Sequence, residues 1–235
     1  MNNIDHLVNA IIVANLTIFS FWQIATHRSV DLSLDSLKQI RIYRQLMYDH
    51  FTVSYDGVFN RGLYHTLLTS TFSHMDILHL GSNMIALKSY SSIAKHLDPT
   101  KFLYLYLGGG VVSSLCYVMY THIRSSFINW SNQTTSLPIY RALGASGAIS
   151  AIYAWNVFRA PNEVVDIVIY GKVIKMKRIE VGALMFSVDV IGMIADISIP
   201  LTFEQLILTA VNPRTIGYAA HVGGALYGAA LSFFI

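Results

Sequence analysis

Long apolar runs, repeated along the whole chain, constrain the fold more than any other feature of this sequence. There are six such runs, each of about 20 residues, separated by shorter polar or basic segments. A helix of about 20 apolar residues spans the hydrocarbon core of a bilayer. The sequence therefore predicts an all-α membrane protein with six transmembrane helices, at about 7–25, 77–94, 101–121, 139–158, 181–199 and 216–235.

The composition favours one membrane domain over a nucleic-acid-binding protein. Hydrophobic residues make up 54% of the 235 residues and charged residues only 12%, whereas about a quarter of the residues in soluble domains are charged. The net charge of +3 comes from basic residues in short segments between the apolar runs, which is typical of topology signals. We therefore expect a single domain over residues 1–235 in contact with the lipid bilayer, with no nucleic acid bound.

Charge in the loops predicts the orientation of the helices. Basic residues concentrate in two short segments, 95–101 and 159–178, and such segments stay on the cytoplasmic side of a membrane. With six spans, both termini lie on that same side, in the cytoplasm or an equivalent compartment. The first run is too long for the apolar core of a signal peptide, so we expect a retained transmembrane helix and no cleavable targeting segment.

The segments between the runs predict four further features. The long first loop, 26–73, carries apolar side chains at helical spacing opposite basic ones, which is typical of a helix in the membrane interface: Leu37, Ile40, Tyr43 and Met47. The polar stretch 124–137 is predicted to be a surface loop, with Pro138 opening the fourth span. β-Branched residues on both sides of a glycine-containing turn predict a hairpin within 161–177, and 201–214 resembles a lid.

Polar side chains inside the apolar runs are the candidates for function, because such residues are costly within a membrane and usually functional. This set is His79, Asn83, Ser146, Asp189 and His221. Each has a structural alternative. A Gly-x-Ser-Gly sequence in an apolar helix is often a packing face, and a single intramembrane histidine is often a hydrogen bond between helices.

Ser146 and His221 together suggest nucleophilic catalysis. A serine hydroxyl needs a base to become a nucleophile, and imidazole is the side chain whose pKa suits that task near neutral pH. The sixth run presents small residues at every fourth position: Ala220, Gly224 and Gly228. We expect this face to pack against Gly144 and Gly147 of the fourth helix, bringing His221 within hydrogen-bond reach of Ser146.

Acyl transfer also needs hydrogen-bond donors aimed at the developing oxyanion. His79 and Asn83 are four positions apart, so they share one face of the second transmembrane helix. The backbone N–H of Ser146, near the start of its helix, adds a donor that the helix dipole strengthens. Three predicted helices therefore carry the parts of a serine hydrolase site.

At these positions the sequence resembles the rhomboid intramembrane serine proteases. Gly144-Ala145-Ser146-Gly147 resembles the family's Gly-x-Ser-Gly nucleophile motif, and the run from His221 to Gly228 resembles its His-x-x-Gly-x-x-x-Gly base motif. His74, His79 and Asn83 stand at the spacing of the family's His-x4-His-x3-Asn signature. The six-span order agrees as well, so the resemblance covers nearly the whole chain.

The resemblance implies an intramembrane serine endopeptidase with a rhomboid-type six-helix bundle. Ser146 is then the nucleophile, and His221 is the general base that later protonates the leaving amine. His79, Asn83 and the backbone of Ser146 form the oxyanion hole. The implied substrates are single-pass transmembrane proteins whose helix unwinds locally, and no cofactor is implied.

The resemblance leaves the support of His221 open. Ser150 stands where bacterial members carry a tyrosine that stacks under the base histidine, and Tyr153 and Tyr218 are candidate substitutes. Asp189 is interpreted either as an interhelical hydrogen bond or gating residue, or as a third member of the catalytic group. His74 is expected to support the loop or the site near the membrane surface.

Within the family, the sequence is most similar to the mitochondrial presenilin-associated rhomboid-like branch, which implies a multi-pass protein of the mitochondrial inner membrane. A metalloprotease is disfavoured, because Asp76 lies near two histidines without a His-Glu-x-x-His pattern, and no metal is expected. One alternative is an inactive rhomboid-like protein that binds membrane clients. Another is a small transporter or channel, which leaves the ordered motifs unexplained.

Overall fold

A computed structural model describes residues 3–26, 34–94, 97–132, 140–169, 171–198 and 217–235, and this part of the chain is mostly helical. Its α-helices are α1 (Asn3–Thr26), α2 (Leu34–Phe51), α3 (Thr66–Thr69), α4 (Ile77–Ile93), α5 (Pro99–Asn132), α6 (Ser146–Arg159), α7 (Arg178–Ser198) and α8 (Tyr218–Leu231). One hairpin joins β1 (Val164–Ile169) to β2 (Lys172–Lys177).

Each of the six predicted spans overlaps one long helix: α1, α4, α5, α6, α7 and α8. Two of the described helices are long and apolar enough to cross a membrane by themselves, namely α1 and the Pro99–Phe127 part of α5. The arrangement of all six helices across a bilayer stays a prediction.

Helix α6 lies at the centre of the bundle, where it packs closely against α5 and α8 and also contacts α4. Its small and apolar residues from Gly147 to Val157 are mostly buried. The main hydrophobic core joins α6 to the neighbouring helices through buried side chains that include Val8, Leu87, Phe102, Leu105 and Ile152. The residue at the start of α6 is therefore held by packing on several sides.

Glycines bring α6 and α8 into direct backbone contact. A methyl group on Gly224 would overlap the backbone of Gly147, and one on Gly228 would overlap the backbone carbonyl of Ala151. Small residues permit such close helix approach in membranes. Gly144 does not share this role: a side chain there would meet the His79 ring, with its Cβ 2.7 Å from Cε1. The expectation that Gly144 packs on the helix of the sixth predicted span, α8, is therefore wrong.

Helix α6, which corresponds to the fourth predicted span, begins seven residues later than predicted, at Ser146 instead of 139. Before it the chain is extended: Val53 N–H donates to the Ala142 carbonyl at 2.8 Å, and Ala142 N–H donates back at 2.9 Å. Gly144 then turns the chain with a φ of +128°, a conformation that side-chain-bearing residues rarely adopt. Pro138, the predicted first residue of this helix, lies outside the described residues.

Helix α5, which corresponds to the third predicted span at 101–121, continues beyond the predicted end and runs to Asn132. The predicted surface loop at 124–137 is therefore wrong over 124–132, and the rest of it lies outside the described residues. Arg124, whose charge suggests a loop, is only 2% exposed, because its guanidinium pairs with Asp196 of α7 at 3.0 Å. A tertiary ion pair replaces the water that the local sequence predicts around this charge.

Helix α2 confirms that the first loop contains a helix. Met47 is buried with Trp22 and Ala25 of α1, so part of the apolar face of α2 packs on protein. Leu37 is 48% exposed. The position of α2 in a membrane interface stays a prediction.

The predicted hairpin between the fourth and fifth spans is confirmed, with antiparallel pairs that include Asp166 opposite Lys175. The lid-like segment 201–214 lies outside the described residues.

Candidate active site

Ser146 and His221 meet at the contact between α6 and α8. Ser146 is the first residue of α6, and its Oγ lies 2.9 Å from Nε2 of His221 on α8. A hydroxyl can donate its proton to an unprotonated imidazole nitrogen at this distance. The close packing at Gly147 and Gly224 holds the two backbones at the separation that this hydrogen bond requires.

Asp189 supplies the second contact of the His221 ring. Its Oδ1 lies 3.0 Å from Nδ1 of His221, so an ionised Asp189 accepts a hydrogen bond from Nδ1–H and leaves Nε2 free to accept from Ser146. Sequence reasoning marks Asp189 as an ionisable residue inside an apolar run but cannot name this partner, because nothing local indicates that α7 passes beside α8.

The two tyrosines suggested as supports for His221 lie against other residues. The ring of Tyr153 packs beside that of Tyr90, with centroids 4.8 Å apart. Tyr218 lies against Gly192 of α7. The polar contact on the far side of the His221 ring comes from Asp189 instead.

His74 organises the opposite wall of the site. Its Nε2 accepts from the Nδ2 amide of Asn83 at 2.9 Å and from the backbone N–H of Ala145 at 3.4 Å. Since Asn83 Nδ2 can only donate, the proton of a neutral His74 must be on Nδ1. Burial, with a smaller contribution from His79, lowers the pKa of His74 to about 3. His74 is therefore neutral at physiological pH and orients the Asn83 amide.

His79 is placed by the start of α4. The Asp76 carboxylate accepts hydrogen bonds from the backbone N–H groups of Leu78 and His79 at 2.9 and 3.0 Å, which is an N-cap. The His79 ring lies edge-on to His74, with centroids 4.9 Å apart. Asp76, disfavoured above as a metal ligand, thus has a structural task in capping α4.

The contact between Ser146 and His221 opens into a cavity of about 580 Å³. Ser146 and His221 line it together with His79, Asn83 and Gly144. The start of α6 also faces this space, and the first turn of a helix has N–H groups without intrahelical acceptors. The cavity therefore combines a hydroxyl beside an imidazole with several hydrogen-bond donors, which is the chemistry that acyl transfer requires.

The comparisons with known proteins agree on one family. A sequence model of the Rhomboid domain matches residues 61–235. The mitochondrial RHOMBOID-like protein 12 of Arabidopsis thaliana is 29% identical over 232 residues, which are 95% of this chain and 56% of that protein. The mitochondrial presenilin-associated rhomboid-like protein of Homo sapiens is 25% identical over 222 residues, which are 94% of this chain and 46% of that protein.

The chain thus spans about half the length of these curated relatives. No solved structure matches it. The rhomboid family includes intramembrane serine proteases, which act on membrane-protein substrates. The domain match covers the nucleophile-type motif, the base-type motif and the His-His-Asn signature, and it confirms the resemblance noted in the sequence. The chain belongs to the rhomboid family of integral membrane proteins.

Proposed function

We propose that this protein is an intramembrane serine endopeptidase that cuts transmembrane segments of membrane-anchored proteins. The observation that carries the proposal is the 2.9 Å contact between Ser146 Oγ and His221 Nε2 inside a cavity that His79 and Asn83 also line. A nucleophile, a base and oxyanion donors within one cavity are what acyl transfer needs.

The reaction begins at Ser146. As its oxygen attacks the scissile carbonyl, the hydroxyl proton moves to His221 Nε2, and the imidazolium that forms is stabilised by Asp189 at Nδ1. The tetrahedral intermediate collapses when His221 returns the proton to the leaving amine. A water molecule, activated by the same histidine, then hydrolyses the acyl-enzyme.

The oxyanion of the intermediate is bound by His79, the Asn83 amide and the backbone N–H of Ser146. His74 supports this group, because it accepts one Asn83 N–H at 2.9 Å and leaves the second amide hydrogen for the substrate. Each well-placed oxyanion donor contributes about 3 kcal/mol to catalysis. Gly144 gives His79 room to approach the site.

The substrate class follows from the setting of the site in the membrane. A peptide bond in a regular helix is shielded by its own turn, so a single-pass substrate must unwind to present its carbonyl to Ser146. Six membrane-spanning helices surround the site in this proposal, and α7, whose Asp189 contacts His221, controls access to it. Several relatives are named mitochondrial, which supports a mitochondrial membrane, and we propose that it is the inner one.

A serine-directed fluorophosphonate probe on detergent-solubilised protein tests the proposal. We expect wild-type protein to be labelled at Ser146, and Ser146→Ala to abolish labelling. Ser146→Ala and His221→Ala each lower cleavage of a transmembrane substrate at least about 10³-fold, since nucleophile and base act as a unit.

Ser150→Ala is the matched control, because Ser150 lies one turn further along α6 and lines a different cavity. It keeps both labelling and cleavage. An unlabelled wild-type protein whose substrate cleavage survives both active-site substitutions contradicts the proposal. Capture of the substrate without cleavage by wild-type protein supports instead the inactive, client-binding alternative.

A further inference from the structure

Arg141 brings a positive charge to the candidate active site. It lies on the extended segment 140–143, five positions before Ser146, and it lines the same cavity as Ser146 and His221. Among the described residues that line this cavity, Arg141 is the one aspartate, glutamate, lysine or arginine. A guanidinium in this position is a specific feature of the cleft that the catalytic steps above do not use.

The Arg141 side chain is fixed by the first loop. Its Nη1 donates to the backbone carbonyl of Tyr48 at 3.0 Å and to Thr52 Oγ1 at 3.2 Å. The backbone beside it is also held, because the next residue, Ala142, pairs with Val53. Two hydrogen bonds on one terminal nitrogen leave the Nη2 and Nε donors of the fork for another acceptor.

The nearest described carboxylate does not satisfy those donors. Asp49 Oδ1 lies 3.9 Å from Arg141 Nη2, which is beyond hydrogen-bond distance. The same oxygen is bonded to Arg61 at 2.6 Å, and Gln45 donates to the other oxygen. Asp49 is thus hydrogen-bonded to Arg61 and Gln45, and its contact with Arg141, which lines the cavity, is the longer one.

We propose that Arg141 is a specificity-determining residue that binds the carboxylate side chain of an aspartate or glutamate in the substrate. A carboxylate matches the planar fork of arginine and forms charge-assisted hydrogen bonds with it. Ser146 is five positions after Arg141, and an extended chain advances about 3.3 Å per residue, so the acidic residue lies no more than about five positions from the scissile bond. This inference rests on the proposed protease function.

Paired substrates test the inference on the full-length protein in detergent. One transmembrane substrate is prepared with glutamine, and then with its near-isosteric partner glutamate, at each position within five residues of the mapped cleavage site. For wild type we expect kcat/KM to be about tenfold higher for glutamate than for glutamine at one such position. The ratio falls towards one in Arg141→Gln and is intermediate in Arg141→Lys, which keeps the charge but loses the fork.

Arg44→Gln is the matched control, since Arg44 also donates to a backbone carbonyl of the protein, that of Ala25, but neither pairs with Asp49 nor lines the cavity. It keeps the wild-type ratio. The inference is overturned if wild type shows no preference for glutamate at any position or if Arg141→Gln keeps the wild-type ratio. It is also overturned if Arg141→Gln and the control variant change the glutamate-to-glutamine ratio equally. If Arg141→Gln does not fold, Arg141→Lys decides alone: a reduced ratio supports the inference, and an unchanged wild-type ratio overturns it.

Failure of the proposed function gives a different result. In that case wild type cleaves neither member of any substrate pair and its Ser146 does not react with the fluorophosphonate. Cleavage of the glutamine substrates with normal labelling shows that the protease is active. The glutamate-to-glutamine ratio then reports on Arg141 alone.

Discussion

Helices α6 and α8 touch backbone to backbone, whereas α7 is mostly exposed and two of its carboxylates, Asp189 and Asp196, bond to other helices. At the first interface, Gly224 lies directly on Gly147. Among the described side chains of α7, only Arg178 and Val181, both in its first turn, are buried, and apolar residues such as Ile191 are 65% exposed. Further along α7, Asp189 bonds His221 and Asp196 bonds Arg124.

This contrast separates two properties of the site. The distance between Ser146 and His221 depends on rigid packing of small residues, which has little freedom to change. The contact of His221 with Asp189 depends on where α7 lies. A shift of α7 therefore changes the support of the base without moving the nucleophile away from it, and substitutions in the two regions are expected to give different phenotypes.

The largest expected effect comes from the ion pair between Asp196 of α7 and Arg124 of α5. Asp196→Asn leaves the buried Arg124 guanidinium without its ionic partner, and breaking such a pair costs about 3 kcal/mol of unfolding free energy. Denaturant unfolding in detergent measures the loss. Asp166→Asn, on the exposed hairpin opposite Lys175, is the control and changes stability by less than about 0.5 kcal/mol. Equal effects of the two substitutions on stability contradict a special contribution from the ion pair between Asp196 and Arg124.

Asp189→Asn tests the other contact of α7. We expect kcat for a transmembrane substrate to fall about 10²-fold, because an amide cannot stabilise the imidazolium as a carboxylate does and can favour the wrong tautomer of His221. KM changes little, since Asp189 contacts the base and not the substrate. Partial recovery in Asp189→Glu distinguishes this positioning role from a packing role. An unchanged kcat shows that the contact with His221 contributes nothing to catalysis.

Gly224→Ala probes the rigid interface. The added methyl group overlaps the backbone of Gly147, where no flexible side chain can move aside, so we expect a loss of about 2 kcal/mol in stability together with reduced fluorophosphonate labelling. Gly81→Ala on α4 is the matched control, because no described atom beyond the neighbouring backbone of α4 lies within 4 Å of the position that its methyl group would take. It is neutral or stabilising. A neutral Gly224→Ala shows that α6 and α8 tolerate separation.

The smallest effect is the change in stability per unit of pH that His74, in the wall opposite α7, is expected to cause. Its pKa is about 3 in the folded protein and about 6.5 when unfolded. The unfolded state therefore binds more protons below pH 6.5, and stability falls by at most about 1.4 kcal/mol per pH unit between pH 6.5 and 3, while staying flat above 6.5. Unfolding curves at pH 6.5 and 4.5 measure the slope. We expect His74→Asn to be less stable than wild type but to show a smaller change of stability with pH. An unchanged slope of stability against pH contradicts the role given to His74.

Much of the candidate site can be selected from the sequence because its signals are local. Polar residues inside apolar runs mark His79, Asn83, Ser146, Asp189 and His221, and the repeated small residues indicate close helix packing. Among these small residues, the neighbour predicted for Gly144 is wrong. A short motif shows that a glycine is needed but not whether a partner helix or a histidine ring occupies the space beside it.

Charged residues mislead a reading of the sequence where a distant partner satisfies them. Arg124 is predicted to lie in a loop, but its counter-ion Asp196 lies 72 positions away on another helix. Asp189 is a candidate without a partner for the same reason, since His221 is 32 positions away. Ion pairs and hydrogen bonds between helices depend on how the helices are arranged, and hydropathy carries no record of that arrangement.

The sequence by itself determined a helical membrane protein of the rhomboid family and the candidate residues for its chemistry, because apolar periodicity and short motifs are properties of neighbouring positions. Only the tertiary structure decided that α6 begins at Ser146, that Asp189 faces His221, and that Arg141 lines the cleft. These three facts depend on distances between segments far apart in the chain. Such distances are set by the packing of whole helices against one another.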